Sequence, residues 1–390
     1  MEEVFKCERC GNEDMKKVGR LPSGKLYCRD CIIFRGESAD ISIKRPPRSS
    51  KIFLDYSLSP DQQILSDLLV KNYISGISSL VHAVCGSGKT EIVLSVISHV
   101  LSLGGTVGFA IPRRDVVIEI YDRLKDIFKN NYVIAVYGGH TEELQGDIIC
   151  LTSHQLFRYE NYFDLLILDE IDAFPYQDND ALNAMFFRSI RANFVQMSAT
   201  PSDKVIEFFK QDGYDILELN TRYHGHPLPV PSTYISRIFF KHIKLIQHLK
   251  RFQKDNKPVF VFTPTIEVCE ETYMFVKLLI KKVSCVHSKK EDREKIISDF
   301  KKGKSKVLIT TAVLERGVTV KDLQVIIFHA DHPLYTKAAL VQISGRAGRK
   351  RDAPKGEVIY IASQRTKAME ESINDIKRAN QSLQDLSKGI

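Results

Sequence analysis

One stretch constrains this chain more than any other. Ala83-Val84-Cys85-Gly86-Ser87-Gly88-Lys89-Thr90 lies between an apolar run, Leu80 to Val84, and an amphipathic segment, Glu91 to Leu101. Gly86 and Gly88 let the backbone turn tightly around Ser87 with its N–H groups facing inward. Lys89 is long enough to reach the β- and γ-phosphates of a nucleotide, and the Thr90 hydroxyl can hold a magnesium ion. An apolar run before the loop and a helical pattern after it place this cradle at the end of a strand and the start of a helix. Ala83 stands where the generic pattern has glycine, so the reading needs partners elsewhere.

Leu165-Leu166-Ile167-Leu168-Asp169-Glu170-Ile171-Asp172 supplies them, as an apolar strand that ends in carboxylates. Asp169 is placed to hold the magnesium through water, and Glu170 to orient the water that attacks the γ-phosphate. Together the two stretches predict an ATP hydrolase.

The 390 residues suggest two to three domains at about 150 residues each. No apolar run approaches the roughly 20 residues that span a bilayer, and Met1-Glu2-Glu3-Val4 lacks the positive start of a signal peptide. A cytoplasmic protein is expected, with attachment to a membrane only through partners. The net charge of +8 permits a polyanionic partner without naming one.

Four of the eight cysteines form two Cys-x2-Cys knuckles, Cys7 with Cys10 and Cys28 with Cys31, separated by 17 residues that include a Pro22-Ser23-Gly24 turn. Four thiolates at this spacing predict one structural Zn²⁺, with no ligand position left open for a substrate. So few residues could not bury a core without the metal. Cys85 falls in the phosphate loop, while Cys150, Cys269 and Cys285 read as isolated buried thiols of a reducing compartment.

The order of segments predicts a zinc module over 1–40, a linker over 41–57, an ATP-binding lobe over 58–220, a Pro-rich junction over 221–236, a second lobe over 237–363 and a C-terminal helix over 364–390. Lys44-Arg45-Pro46-Pro47-Arg48 is the least foldable part of the linker, which should leave the zinc module independent of the lobes. A helix should start at Ser59 and Pro60, and a glutamine in its first turn can read an adenine edge. Gln62 is the first choice and Gln63 the second.

Short β-rich runs at Thr106–Ile111, Tyr132–Tyr137, Asp147–Thr152 and Val195–Ser198 alternate with helical segments, which predicts a doubly wound parallel sheet with the nucleotide at the strand C-termini. The alternation repeats at Pro258–Thr263, Val283–His287, Val307–Thr311, Val325–His329 and Val358–Ile361. The fold class is therefore α/β, two tandem doubly wound lobes behind a small four-cysteine module. Pro227, Pro229 and Pro231 mark the junction. The second lobe lacks a phosphate loop and ends in Gln342-Ile343-Ser344-Gly345-Arg346-Ala347-Gly348-Arg349, whose arginines can act as fingers on a γ-phosphate. Lys367 to Leu386 reads as a final amphipathic helix.

With these motifs in view, the chain resembles superfamily 2 helicases and translocases with RecA-like lobes. The residues that carry the resemblance are Gly86 to Thr90, Asp169 to Asp172, Ser198-Ala199-Thr200, Thr310 to Gly317, and Gln342 to Arg349. More closely, it resembles the ComFA family, the cytosolic ATPases of DNA uptake in naturally competent Gram-positive bacteria. That similarity rests on the four-cysteine module, on Asp169-Glu170-Ile171-Asp172-Ala173-Phe174-Pro175-Tyr176, and on Arg222-Tyr223-His224-Gly225-His226-Pro227 through Pro231. The resemblance implies Mg-ATP bound by Lys89, Thr90, Asp169 and Glu170, and fingers at Arg346 and Arg349. It places Gln342 and Gly317 near the nucleotide, Ser198 and Thr200 as couplers between the lobes, and Arg113, Thr152, Thr263 and Thr311 on a nucleic-acid backbone. It further implies stimulation by single-stranded DNA, work beneath a membrane DNA channel, and a phosphoribosyltransferase-like competence partner.

Val318-Thr319 stands where DEAD-box relatives have an Asp, which weakens the case for ribose recognition. Rival readings are a replication-restart helicase resembling PriA, an RNA helicase, and an ATP-gated clamp. The PriA type carries paired zinc knuckles within its second lobe, whereas here they precede the first. Sequence assigns no role to His224 or His226.

Overall fold

The computed structural model describes residues 5–40, 46–47, 50–311 and 320–388. Gly317, the rest of Ala312–Thr319, and Lys44, Arg45 and Arg48 lie outside the described residues. The chain packs as two compact units, Met1–Ala83 with Gly88–Leu219, and Val84–Ser87 with Asn220–Ile390.

The cysteine module opens the first unit. Strands β1 (Val18–Arg20) and β2 (Leu26–Cys28) pair antiparallel, and the predicted turn closes with the Gly24 amide donating to the Leu21 carbonyl at 2.8 Å. Each knuckle is a tight turn: the Gly11 amide donates to the Cys7 carbonyl (2.8 Å) and the Cys31 amide to the Cys28 carbonyl (3.3 Å). The expected independence of the module is corrected here. The Phe34 ring packs against His154 and Phe157 with centroids 6.0 and 5.9 Å away, and the Arg9 guanidinium lies over the Phe157 ring at 5.4 Å. Arg158 donates to the Glu37 carbonyl at 2.5 Å, and its own carbonyl accepts from the Ala39 amide at 2.8 Å. Cys7, Cys28, Cys31 and Phe34 thereby join one apolar cluster with Leu156 and Phe157 of the nucleotide-binding unit.

That unit is built on seven strands, β3 (Ser79–Ala83), β4 (Val107–Ile111), β5 (Val133–Val136), β6 (Ile148–Thr152), β7 (Phe163–Asp169), β8 (Ile190–Ser198) and β9 (Asp215–Leu219). All pair parallel in the order β5-β6-β4-β7-β8-β3-β9. A parallel sheet is covered on both faces, so successive residues of one strand enter opposite cores. Val81 and Ile167 join one cluster, Leu80 and Leu166 the other. Helix α1 (Pro60–Ile74) begins at Ser59 with a capping box: Ser59 Oγ accepts from the Gln62 amide (3.3 Å) and Gln62 Oε1 from the Ser59 amide (2.9 Å). The amphipathic segment after the cradle forms two helices, α2 (Lys89–Ile92) and α3 (Leu94–Ser102), meeting at Val93. Helix α4 (Arg114–Ile127) follows β4.

The second unit repeats the plan with six parallel strands, β10 (Ser232–Ile235), β11 (Val259–Phe262), β12 (Val283–Val286), β13 (Val307–Thr310), β14 (Gln324–Phe328) and β15 (Val358–Ala362). Their order is β10-β15-β14-β11-β13-β12. Strand β10 lies inside the segment read as junction. An edge strand bonds on one side only, so a short one can begin at Ser232 directly after Pro231. The last helix, Lys367–Lys388, buries Met369 and Ile376. Among the described residues no helix is long and apolar enough to cross a membrane.

Candidate active site

The cradle has the backbone that its glycines predict. Gly86 and Gly88 take φ values of +83° and +80°, in the left-handed region that side chains disfavour. Gln62 reaches the same spot, since a β-carbon on Gly88 would push its Nε2 aside. Gln62 is thus brought to the cradle, with its oxygen engaged in the α1 cap, whereas Gln63 is on the outside bonding Asp67 at 2.8 Å. Behind Thr90, the Glu91 carboxylate accepts from the Tyr56 hydroxyl at 2.7 Å and pairs with Arg123, which also donates to Tyr56 at 3.1 Å. Burial, and then the Glu91 carboxylate, raise the Tyr56 hydroxyl above its ordinary pKa. This brace fixes the first turn of α2, and sequence reading missed it because Tyr56 and Arg123 belong to no motif.

The parallel ladder sets β8 between β3 and β7, so the strand before the cradle and the strand before the carboxylates end at one edge. Lys89 Nζ is 3.6 Å from Asp169 Oδ1, with both side chains at most 15% exposed. The cation suited to a phosphate and the carboxylate suited to a metal's water therefore face one small, poorly solvated volume, where their charges act with little screening. Glu170 follows at φ +61°, a strained setting for a non-glycine residue that breaks the run of the strand.

Asp172 closes the arrangement. It accepts from the Ser198 hydroxyl at 3.0 Å and from the Thr200 hydroxyl at 2.8 Å, and Ser198 Oγ also accepts from the Thr200 amide at 2.9 Å. Ser198 and Thr200 are thus tied to the loop that carries Glu170. The partner, Asp172, is the part that sequence reading left without a role.

In the second unit, Gln342 lies on the helix Lys337–Ser344 and the arginine loop follows it. Arg346 is 5% exposed. The loop is held by the segment that opens this unit. The buried Arg222 guanidinium donates to the carbonyls of Gly345 (3.0 Å), Ala347 (3.0 Å) and Gly348 (2.6 Å). The Tyr223 hydroxyl donates to the Arg349 carbonyl at 3.2 Å. His224 has a place as well: its Nδ1 accepts from the His226 amide, which leaves Nε2 to donate to the Gly348 carbonyl, each at 3.2 Å. Burial, followed by the Arg222 charge, lowers the His224 pKa and keeps the ring neutral.

Three of the proposed nucleic-acid residues lie at strand C-termini. Ile111 and Thr152 are direct neighbours across β4 and β6, and Arg113 caps α4 just beyond. Thr311 follows β13 and is 8% exposed. Thr263 departs from the expectation. It is fully buried and gives its hydroxyl to the Thr310 carbonyl at 3.1 Å, so it shapes the edge without presenting a donor there.

The four module sulfurs lie within 4.8 Å of one another, with Cys10 and Cys28 at 3.7 Å. Metal–sulfur bonds of about 2.3 Å in a tetrahedron put sulfurs about 3.8 Å apart, so the cluster fits one zinc ion. Cys269 and Cys285 are not the isolated thiols expected, since their sulfurs are 3.4 Å apart.

Residues 59–208 match the DEAD/DEAH box helicase family, and residues 241–351 match the helicase conserved C-terminal domain. With two parallel-sheet lobes and this constellation, the chain is an ATP-hydrolysing enzyme of the superfamily 2 helicase type. Competence protein ComFA of Bacillus subtilis is 32% identical over 97% of this chain and 86% of its own length; that of Streptococcus pneumoniae is 32% identical over 96% and 90%. The chain belongs to the ComFA family. Saccharomyces cerevisiae Dbp5 bound to RNA and ADP BeF3 shares the fold at a TM-score of 0.62 and 17% identity, covering 83% of this chain and 92% of that one.

Proposed function

We propose that this chain is a single-stranded-DNA-dependent ATPase and translocase that powers import of transforming DNA during natural competence. The observation that carries the reading is the Asp172 bridge. It ties the loop of Glu170 to Ser198 and Thr200 on the sheet edge that also bears Arg113 and Thr152, so an event at that edge can reach the hydrolytic carboxylate. The competence role follows from membership of a family whose two matched relatives are named competence proteins.

In this mechanism the cradle amides and Lys89 bind and orient the triphosphate, and Gln62 borders the same loop. Glu170 orients the attacking water and takes its proton on the carboxylate. Thr90 and Asp169 would hold Mg²⁺, which when bound spreads the charge on the phosphate oxygens. Arg346 and Arg349 offset charge developing on the γ-phosphoryl group, with Gln342 near the phosphates. Arg113, Thr152 and Thr311 grip the backbone of the strand. Cys7, Cys10, Cys28 and Cys31 would hold one structural Zn²⁺. The membrane DNA channel and the phosphoribosyltransferase-like protein are the partners that family resemblance proposes, at the inner face of the membrane.

The test compares ATP turnover with single-stranded DNA, duplex DNA and RNA at one salt concentration, since phosphate contacts are strongly salt-dependent. Single-stranded DNA should stimulate most. A rate that no nucleic acid changes, or that RNA alone raises, would overturn the proposal. Displacement of a roadblock on the same oligonucleotide separates a motor from a clamp.

A further inference from the structure

The loop after β7 is anchored on nearly every side. Ile171, Ala173 and Tyr176 are buried, and Asp172 is held by Ser198 and Thr200. The Ala173 amide donates to the Glu170 carbonyl at 2.9 Å, the Tyr176 amide to the Ala173 carbonyl at 2.9 Å, and the Tyr176 hydroxyl to Asn183 Oδ1 at 2.9 Å. From this frame Phe174 projects 84% exposed, more than any other large hydrophobic side chain described.

Isolated exposed apolar residues are common and by themselves mean little. Two features set this one apart. It stands four residues beyond Glu170, on a loop whose backbone bonds directly to the Glu170 carbonyl. It also lies on the loop that follows β7, at the same C-terminal end of the parallel sheet where β4 and β6 lead into Arg113 and Thr152. A bare aromatic face at the same end of the sheet as residues suited to phosphates is what an unpaired nucleobase stacks on, with little regard to sequence.

We propose that Phe174 is a base-stacking residue for single-stranded nucleic acid and that it positions Glu170 in response to strand occupancy. The inference rests on the strand-dependent ATPase proposed above. Stacking on Phe174 pulls on Ala173, whose amide holds the Glu170 carbonyl. Because Glu170 sits in a strained conformation, a small movement of this loop suffices to re-aim its carboxylate.

The chain contains no tryptophan, so Phe174→Trp introduces a single indole reporter. Titration with a homothymidine oligonucleotide should quench its emission as the strand binds, while strand-stimulated turnover is retained. Phe174→Ala and Phe174→Leu, the latter keeping bulk without a π face, should each bind the strand about 5- to 150-fold more weakly, the range for loss of one stacked base. Their ratio of strand-saturated to strand-free turnover should fall. Unchanged Phe174→Trp emission while anisotropy reports a bound strand would overturn the inference, as would wild-type affinity in Phe174→Ala. Either result leaves the strand-dependent ATPase standing if the wild-type protein is still stimulated. A wild-type protein that binds no strand sinks both.

Discussion

Arg222 gives the sharpest test of how the second unit is built. Replacing it with Met keeps most of the stem and removes the guanidinium from the carbonyls of Gly345, Ala347 and Gly348. Hydrogen bonds from a charged donor contribute about 1.5–3 kcal/mol each, so three amount to roughly 4–9 kcal/mol. Against this stands the cost of burying the charge. Burial lowers the Arg222 pKa from its ordinary value to about 10, equivalent to about 3 kcal/mol. The difference, about 1–6 kcal/mol, should lower the urea midpoint of the second unit by roughly 0.5–3 M at a slope near 2 kcal/mol per M. Because the loop that Arg222 holds carries Arg346 and Arg349, the proposed fingers, ATP turnover should also fall, by roughly 10- to 100-fold, as expected for reacting groups misplaced by about 1 Å. Arg349→Ala, by contrast, should lose turnover without the loss of stability. Urea titration followed by circular dichroism, paired with steady-state turnover, reads both effects. An Arg222→Met protein with an unchanged midpoint and unchanged turnover would refute this account of the loop.

Lys89→Ala and Glu170→Gln should each lower ATP turnover by about two orders of magnitude or more, measured as phosphate release at saturating strand. Cys28→Ser should lose the bound metal. Because the module packs on Phe157 and Arg158, it should also speed proteolysis at Ser153–Arg158, a site that would stay protected if the module were merely tethered. Acid should weaken the second unit through His329, whose Nδ1 accepts from the buried Lys241 ammonium at 3.0 Å. Burial, and then the Lys241 charge, lower the His329 pKa from 6.5 to about 4. Below pH 6.5 the unfolded chain takes up a proton that the folded chain refuses until about pH 4, so stability drops across that window by on the order of 3 kcal/mol. His329→Gln should flatten the dependence in urea titrations run between pH 7 and 4.

The parts of the site legible in sequence are those where neighbours along the chain share one task. Lys89 and Thr90 follow two glycines, and Asp169 and Glu170 end an apolar run, so composition and order suffice. Arg222 was opaque for a physical reason: its partners are backbone carbonyls more than 120 residues away, and a carbonyl leaves no mark on the sequence. Phe34 and Phe157 read like any surface or core aromatic, and only the fold reveals that they face each other. The helix after the cradle was read through Val93 because apolar periodicity continues across the break, while the backbone resets there. Strand β10 is hidden by Pro227, Pro229 and Pro231 just before it, which argue against an interior strand and still permit an edge.

The seat of the cysteine module bears on anyone seeking a minimal ATPase. Cutting the chain before α1 looks natural, because the match to the helicase family begins there. That cut would strip Phe34 from Phe157 and His154 and leave an apolar scar on the surface of the first unit, beside Thr152. Such a fragment should be sticky at working concentrations, and poor behaviour in solution would be mistaken for poor catalysis. Residues 5–40 act as a lid over part of the first unit's core, so a shortened version should keep them and discard elsewhere.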